Sequence, residues 1–179
     1  MLQLDIQGAQ RFAGVPTRAT LRRWVLLALG AAGDKAGDSA GEKACNKACN
    51  EARLTLRFVG SAEGRRLNHD YRGRNYATNV LTFDYTRRPL AADIVLCMPV
   101  VAREAREHGK TLRAHLAHLV IHGVLHARGF DHEQRRQATA MEARERALLA
   151  QLRITDPYGP IVPANSTRPA PHARTAQQK

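Results

Sequence analysis

His122-Gly123-Val124-Leu125-His126-Ala127-Arg128-Gly129-Phe130-Asp131-His132 is the stretch whose reading decides the fold. Upstream of it, Thr111 to Arg128 reads as a helix. Thr111 offers a side-chain oxygen to the first turn, and Leu112, Leu116, Leu119, Val120, Ile121, Val124 and Leu125 supply a broad apolar surface. His122 and His126 are four residues apart, which puts both imidazoles on one helix face, a turn from each other. Gly129 suits the left-handed position that ends a helix, so the chain can turn back and bring His132 to the other two. Three neutral imidazoles with one open position make a catalytic zinc site, where bound water acidifies to about pH 7. A structural site would instead close with a fourth protein ligand.

Six of the eight histidines lie between His108 and His132. His115 and His118 fall near the same stripe, but neither has a glycine-led return that would supply a third ligand. Core packing or hydrogen bonding to a ligand suits them better. The spacing of the three expected ligands matches the extended metalloprotease signature H-E-x-x-H-x-x-G-x-x-H at every point but one. Gly123 stands where the glutamate should be, and glycine cannot take a proton from water. The metal scaffold is retained, while peptide hydrolysis loses its usual base.

Composition bounds the partners. The chain has 179 residues, enough for one domain with a real core. Its formal net charge is +12 and its pI about 10.6, a field that favours a polyanion such as nucleic acid. Past Pro157 the only charged residues are Arg168, Arg174 and Lys179, so the basicity belongs mainly to the body. Cys45, Cys49 and Cys97 form no paired ligand set and leave an odd thiol, as expected in a reducing compartment. Trp24 to Ala32 follows Arg22-Arg23 but starts too late for a signal peptide, and Leu21, Trp24, Val25, Ala28 and Leu29 have helical spacing. No apolar run reaches the length of a membrane span. A cytoplasmic protein with no membrane partner is expected.

Taken in order, Leu2 to Gln7 alternates like a half-buried strand, and Pro16-Thr17 introduces a helix ending near Gly30. Gly33 to Asn50 is small and polar and contains a tandem copy, Lys43-Ala44-Cys45-Asn46 and Lys47-Ala48-Cys49-Asn50, as in an exposed insertion over 31–51. Leu54, Leu56 and Phe58 alternate through a second strand. Ser61 is expected to cap a short helix bearing Arg65, Arg66 and Leu67. Asn68 to Tyr76 then reads as a basic, aromatic loop, in which Tyr71, Arg72 and Arg74 could meet RNA alongside Arg65 and Arg66. Asn79 to Tyr85 and Ala92 to Met98 read as further strands. Pro99 opens a helix through Val101, Ala105 and His108. Glu133 to Arg153 forms a long helix with Ala138, Met141, Leu148, Leu149 and Leu152 as its buried side. From Asp156 onward lie five of the eight prolines and no apolar period, and 159–179 reads as a basic, disordered tail.

Asn68-x-x-Tyr71-Arg72, Thr78-Asn79-Val80-Leu81-Thr82-Phe83, Asp93-Ile94 and the histidine motif occur in the order and spacing of one family. In these stretches the chain resembles the YbeY family of bacterial metal-dependent endoribonucleases, from about residue 52 to residue 158. Glu142 and Asp156-Pro157-Tyr158 are similar too. The resemblance implies a single α/β (α+β) domain over 1–158, with a mixed sheet of about four strands, about five helices and the metal-site helix at the centre. It also implies a zinc-dependent endoribonuclease, one Zn²⁺ per chain, that cuts single-stranded RNA. The implied setting is ribosomal RNA processing, including 16S rRNA 3′-end maturation, and ribosome quality control, with the ribosome or its assembly factors as partners. Arg72 would hold phosphate near the metal. Two departures stand out: Asp84 where a proline is usual, and Ala92 where a glycine usually precedes Asp93.

With Gly123 in the base position, the proton acceptor must lie elsewhere; the sequence leaves open whether water or the RNA 2′-hydroxyl attacks. Two other readings stay open at this point. One is a metallopeptidase, favoured by spacing alone. The other is a non-catalytic ribosome-assembly protein that binds RNA and uses zinc only to brace its fold.

Overall fold

A computed structural model describes residues 1–30, 51–130 and 135–159. All but Glu51 of the insertion expected over 31–51, nearly all of the tail expected over 159–179, and His132 lie outside the described residues. Four strands are described: β1 (Leu2–Gln7), β2 (Ala52–Val59), β3 (Val80–Arg87) and β4 (Leu90–Cys97). Five helices accompany them: α1 (Arg18–Gly30), α2 (Ser61–Arg72), α3 (Met98–Glu107), α4 (Leu112–Ala127) and α5 (Arg135–Gln151). The strand order is β1-β2-β4-β3. β1, β2 and β4 run parallel, and β3 pairs antiparallel with β4 at the edge, so the sheet is mixed. Both the mixed four-stranded sheet and the count of about five helices are borne out.

The alternation read in the sequence sorts the two faces of the sheet. Leu54, Leu56 and Phe58 of β2 and Leu90, Ala92, Ile94 and Leu96 of β4 point into the main core. There they meet Leu21, Trp24, Val25 and Ala28 of α1 and the apolar surface of α4. Leu81, Val95 and Cys97 point the other way, into a smaller cluster with Val59 and Val100.

α4 is the organising helix. Thr111 caps it, accepting a hydrogen bond from the Ala114 amide at 3.2 Å. Leu116, Ala117, Leu119, Val120, Ile121, Val124, Leu125 and Ala127 are all buried. A helix apolar nearly all round must be enclosed nearly all round, and α4 packs on α1, α3, α5 and the strands β3 and β4. The partly exposed strip that is left carries His118, His122 and His126, successive at four-residue intervals. Gly129 ends the α4 segment with φ +88°, as its expected left-handed turn requires. Among the described residues, no helix is long and apolar enough to cross a membrane.

Two local expectations are corrected. Ser61 does not cap α2: Gly60 holds the N-cap position and Ser61 is the first helical residue, with no side-chain cap bond. Asn68 to Arg72 is not loop but the last turns of α2, which stops at Gly73 with φ 66°. Asn68 explains the extension. Its side chain is only 1% exposed and donates to the Tyr76 carbonyl at 2.7 Å, tying the following turn back to the helix.

Candidate metal centre and cleft

Packing sets the position of the histidine helix. An ideal Cβ built on Gly123 would stand 2.8 Å from Ile94 Cγ2 and 3.2 Å from Thr82 Oγ1. α4 therefore approaches β3 and β4 at the closest distance a missing side chain permits, and that contact brings His122 and His126 up to strand β3. Their ring centroids lie 4.5 Å apart, edge to face. They line a cleft of about 650 Å³ with Arg72, Thr78, Asn79, Thr82, Asp84 and Arg87. Gly123 thus has a structural reason to be glycine: a glutamate there would collide with Ile94 before it could reach a water.

A buried carboxylate backs the site. Glu145 of α5 is 0% exposed and faces α4. His122 Nδ1 lies 2.7 Å from its Oε1, and His118 Nε2 lies 3.1 Å from its Oε2. The Tyr158 hydroxyl also donates to Oε2. Burial pushes the Glu145 carboxyl upward, but the bonds from His118, His122 and Tyr158 outweigh it and bring the group down to about 2. Glu145 is therefore ionised and acts only as an acceptor, so each nitrogen facing it carries the proton. With that proton on Nδ1, Nε2 is the His122 nitrogen left able to ligate a metal. This is the way metal-binding histidines are usually oriented.

His118, His122 and Glu145 could themselves hold a metal ion, since their ligand atoms lie within 4.8 Å of one another. In that arrangement Glu145 would be a ligand instead of a hydrogen-bond partner. The hydrogen-bonding distances around Glu145, and the position of His122 and His126 on the cleft wall, favour an ion on the cleft side with Glu145 behind it. The donor chemistry there fits: two imidazoles one turn apart on a rigid helix, one with its tautomer fixed. His115 does not join either set. It is buried and bonds Glu104 at 2.9 Å, with its Nδ1 lacking a hydrogen-bond partner among the described residues. Burial lowers its basicity despite the Glu104 carboxylate. His115 thus packs and bonds Glu104, whereas His118, expected to pack or support, belongs to the group that could hold a metal.

The other expected residues divide. Arg72, at the end of α2, lines the cleft with the histidines. Tyr71, 66% exposed, turns away and packs edge-on against Phe83 with centroids 4.7 Å apart. Arg65 and Arg66 line a separate hollow of about 260 Å³ with Ala62, His69 and Asn75. There Arg65 Nε donates to Asn75 Oδ1 at 2.8 Å. Arg74 is exposed just past the helix end and outside both groups of lining residues. Arg87 was missed by sequence reasoning: its guanidinium lies 2.9 Å from an ideal Cβ on Gly129 and 3.9 Å from Asp84. Of the two departures, Asp84 lines the cleft and Ala92, its partner across the β3–β4 ladder, is buried in the core.

The family model described as Endoribonuclease YbeY matches residues 34–153. The chain belongs to the YbeY family. The Endoribonuclease YbeY of Aromatoleum aromaticum is 52% identical over 161 residues, covering 88% of this chain and 92% of that protein. The Bordetella pertussis protein of the same name is 53% identical over 161 residues, covering 88% of this chain and 96% of its own length. A Thermotoga maritima protein of known solution structure superposes with a TM-score of 0.53 at 22% identity, over 88% of this chain and all of that one. At that identity the likeness speaks for the fold. The YbeY match covers α2, the sheet strands β2 to β4, α3, the histidine helix and all of α5, so it contains every described cleft residue.

Proposed function

We propose that this chain is a cytoplasmic, zinc-dependent endoribonuclease that cuts single-stranded RNA during ribosomal RNA processing, including 16S rRNA 3′-end maturation, and in ribosome quality control. The YbeY relatives named as endoribonucleases support the activity. The observation that carries the reading in this chain is one cleft lined by His122, His126 and Arg72 together. The domain is read as 1–158, with 31–51 as an insertion and 159–179 as a tail.

His122 and His126 would hold the ion, with His132 as the expected third ligand. Bound there, zinc supplies positive charge for a phosphate oxygen and lowers the pKa of water. The chain's own residues do the rest. Arg72 offers a planar pair of donors that matches two phosphate oxygens, and Arg87 adds a second cation at the same wall. Glu145 keeps the His122 proton on Nδ1, away from the reacting atoms. Thr82 and Asn79 supply polar groups beside the phosphate position. Arg65 and Arg66 offer a further basic surface for the strand, and ribosomal RNA within the ribosome or its assembly intermediates is the proposed partner. The net charge of +12 favours such a polyanion over a peptide.

The test assays zinc-loaded protein on single-stranded RNA and on casein, each with and without a chelator. RNA cleavage that the chelator abolishes, with casein intact, is expected. Cleavage of casein, or RNA cleavage indifferent to chelation, would refute the proposal. Elemental analysis of His122→Ala, His126→Ala and His132→Ala should show metal loss in each, and undiminished metal in all three would sink the ligand assignment.

A further inference from the structure

The last described turn of the chain touches the carboxylate behind the metal helix. After α5 ends at Gln151, Asp156 returns to Arg146, with Arg146 Nε 3.2 Å from both carboxylate oxygens. The Arg146 guanidinium then lies over the Tyr158 ring, 4.9 Å from its centroid. Lys110, just before α4, donates to the Pro157 carbonyl at 2.6 Å. These contacts fix a tyrosine that would otherwise project into solvent, and its hydroxyl reaches Glu145. The ring of Tyr158 also meets His118 edge-on, with centroids 5.5 Å apart.

We propose that Glu145 and Tyr158 are positioning residues for the metal site: the Tyr158 hydroxyl steers the Glu145 carboxylate, and Glu145 fixes His122 as its Nδ1–H tautomer. This rests on the reading of His122 and His126 as ligands. The geometry is specific. Glu145 has two oxygens and three donors. Among the described residues, Oε1 meets His122, while Oε2 is shared by His118 and Tyr158. With Oε2 held at two points, the carboxylate cannot rotate away from His122. Removing the Tyr158 hydroxyl leaves His118 as its sole tether on that side. The 156–158 turn is thereby part of the metal machinery, although none of its atoms lines the cleft.

Cobalt(II) binding by the full chain separates positioning from ligation. Affinity is measured by visible absorption in competition with a chelator, for wild type, Glu145→Gln, Tyr158→Phe and His126→Ala. Glu145→Gln should bind about 10–100-fold more weakly, the usual effect of losing a ligand's hydrogen-bond partner. Tyr158→Phe should lose about fivefold, the equivalent of one ordinary hydrogen bond. Thermal melting of the metal-free proteins is the fold control. Tyr158 is 41% exposed, so Tyr158→Phe should keep the fold and melt only about 2–4 °C below wild type, and it carries the test even if Glu145→Gln folds poorly. Long-range ¹⁵N NMR of the His122 ring should show protonated Nδ1 in wild type and a mixed tautomer in Glu145→Gln, a change that a purely structural role would not produce. Wild-type affinity in both variants overturns the proposal. If His126→Ala keeps its affinity while Glu145→Gln loses it, Glu145 is a direct ligand and the positioning role is wrong. A wild type that takes up no cobalt overturns the metal reading, and this inference with it.

Discussion

Gly123→Ala tests the close approach of helix α4 to the sheet. The added methyl would sit 2.8 Å from Ile94 Cγ2, and neither side can yield cheaply. Ile94 is fully buried, branched at Cβ, and in the strand that pairs on both edges with β2 and β3. Crowding of this kind costs about 2 kcal/mol. Alanine recovers about 1 kcal/mol in helix propensity, because Gly123 is interior to α4. The difference, about 1 kcal/mol of destabilisation, corresponds to a fall in melting temperature of about 2–4 °C for a chain of this size. The assay is circular-dichroism melting of metal-free protein, paired with cobalt affinity, because the methyl also presses on Thr82 and on the helix between the two histidines. A variant that melts above wild type, as helix propensity alone would dictate, would refute the packing account. Gly123→Glu should be worse still and should gain no activity on casein.

Arg72→Lys should keep fold and metal content yet lose much of the RNA cleavage rate, since lysine cannot present two coplanar donors. Arg72→Ala should lose on the order of a hundredfold if the contact acts in the transition state, and wild-type rates at matched salt and metal loading would remove the clamp. His115 gives the pH dependence. Its basicity is lowered on folding, first by burial, so the unfolded chain takes up a proton more readily below its ordinary value of 6.5. Its stabilisation is complete above that pH and is lost as pH falls through the lower folded value. Urea midpoints of metal-free protein should therefore drop on acidification below pH 6.5, and less steeply in His115→Gln; equal slopes would contradict this.

The histidine helix was legible because cap, apolar surface and ligand spacing all coincide in one continuous segment, Thr111 to Gly129. The strands were legible from Leu54, Leu56 and Phe58, whose alternation survives because only one face of β2 is deeply buried. Three things were not. The helical status of Asn68 to Arg72 depends on a side chain bonding eight residues ahead, and polar composition alone reads as loop. Glu145 escapes a reading that takes the buried side of α5 from its hydrophobic members alone. The signal was available, since Glu145 falls four residues after Met141 and three before Leu148, on that same face. A charged residue at a buried helical position asks for a partner, but naming His122 as that partner requires the packing of α5 on α4. Arg87 could not be placed in the cleft without the β3–β4 hairpin.

Arg128, the C-cap of α4, donates from one guanidinium nitrogen to the Ala28 and Leu29 carbonyls at 2.9 and 3.2 Å. These belong to the final turn of α1, whose carbonyls have no partners within their own helix. A helix end is ordinarily the first place where local opening begins. Here the last turn of α1 is fastened to the helix that carries His122 and His126, across about a hundred positions of sequence. The opening of the two helix ends is thus coupled, and an ion bound two residues away at His126 would slow the opening of both.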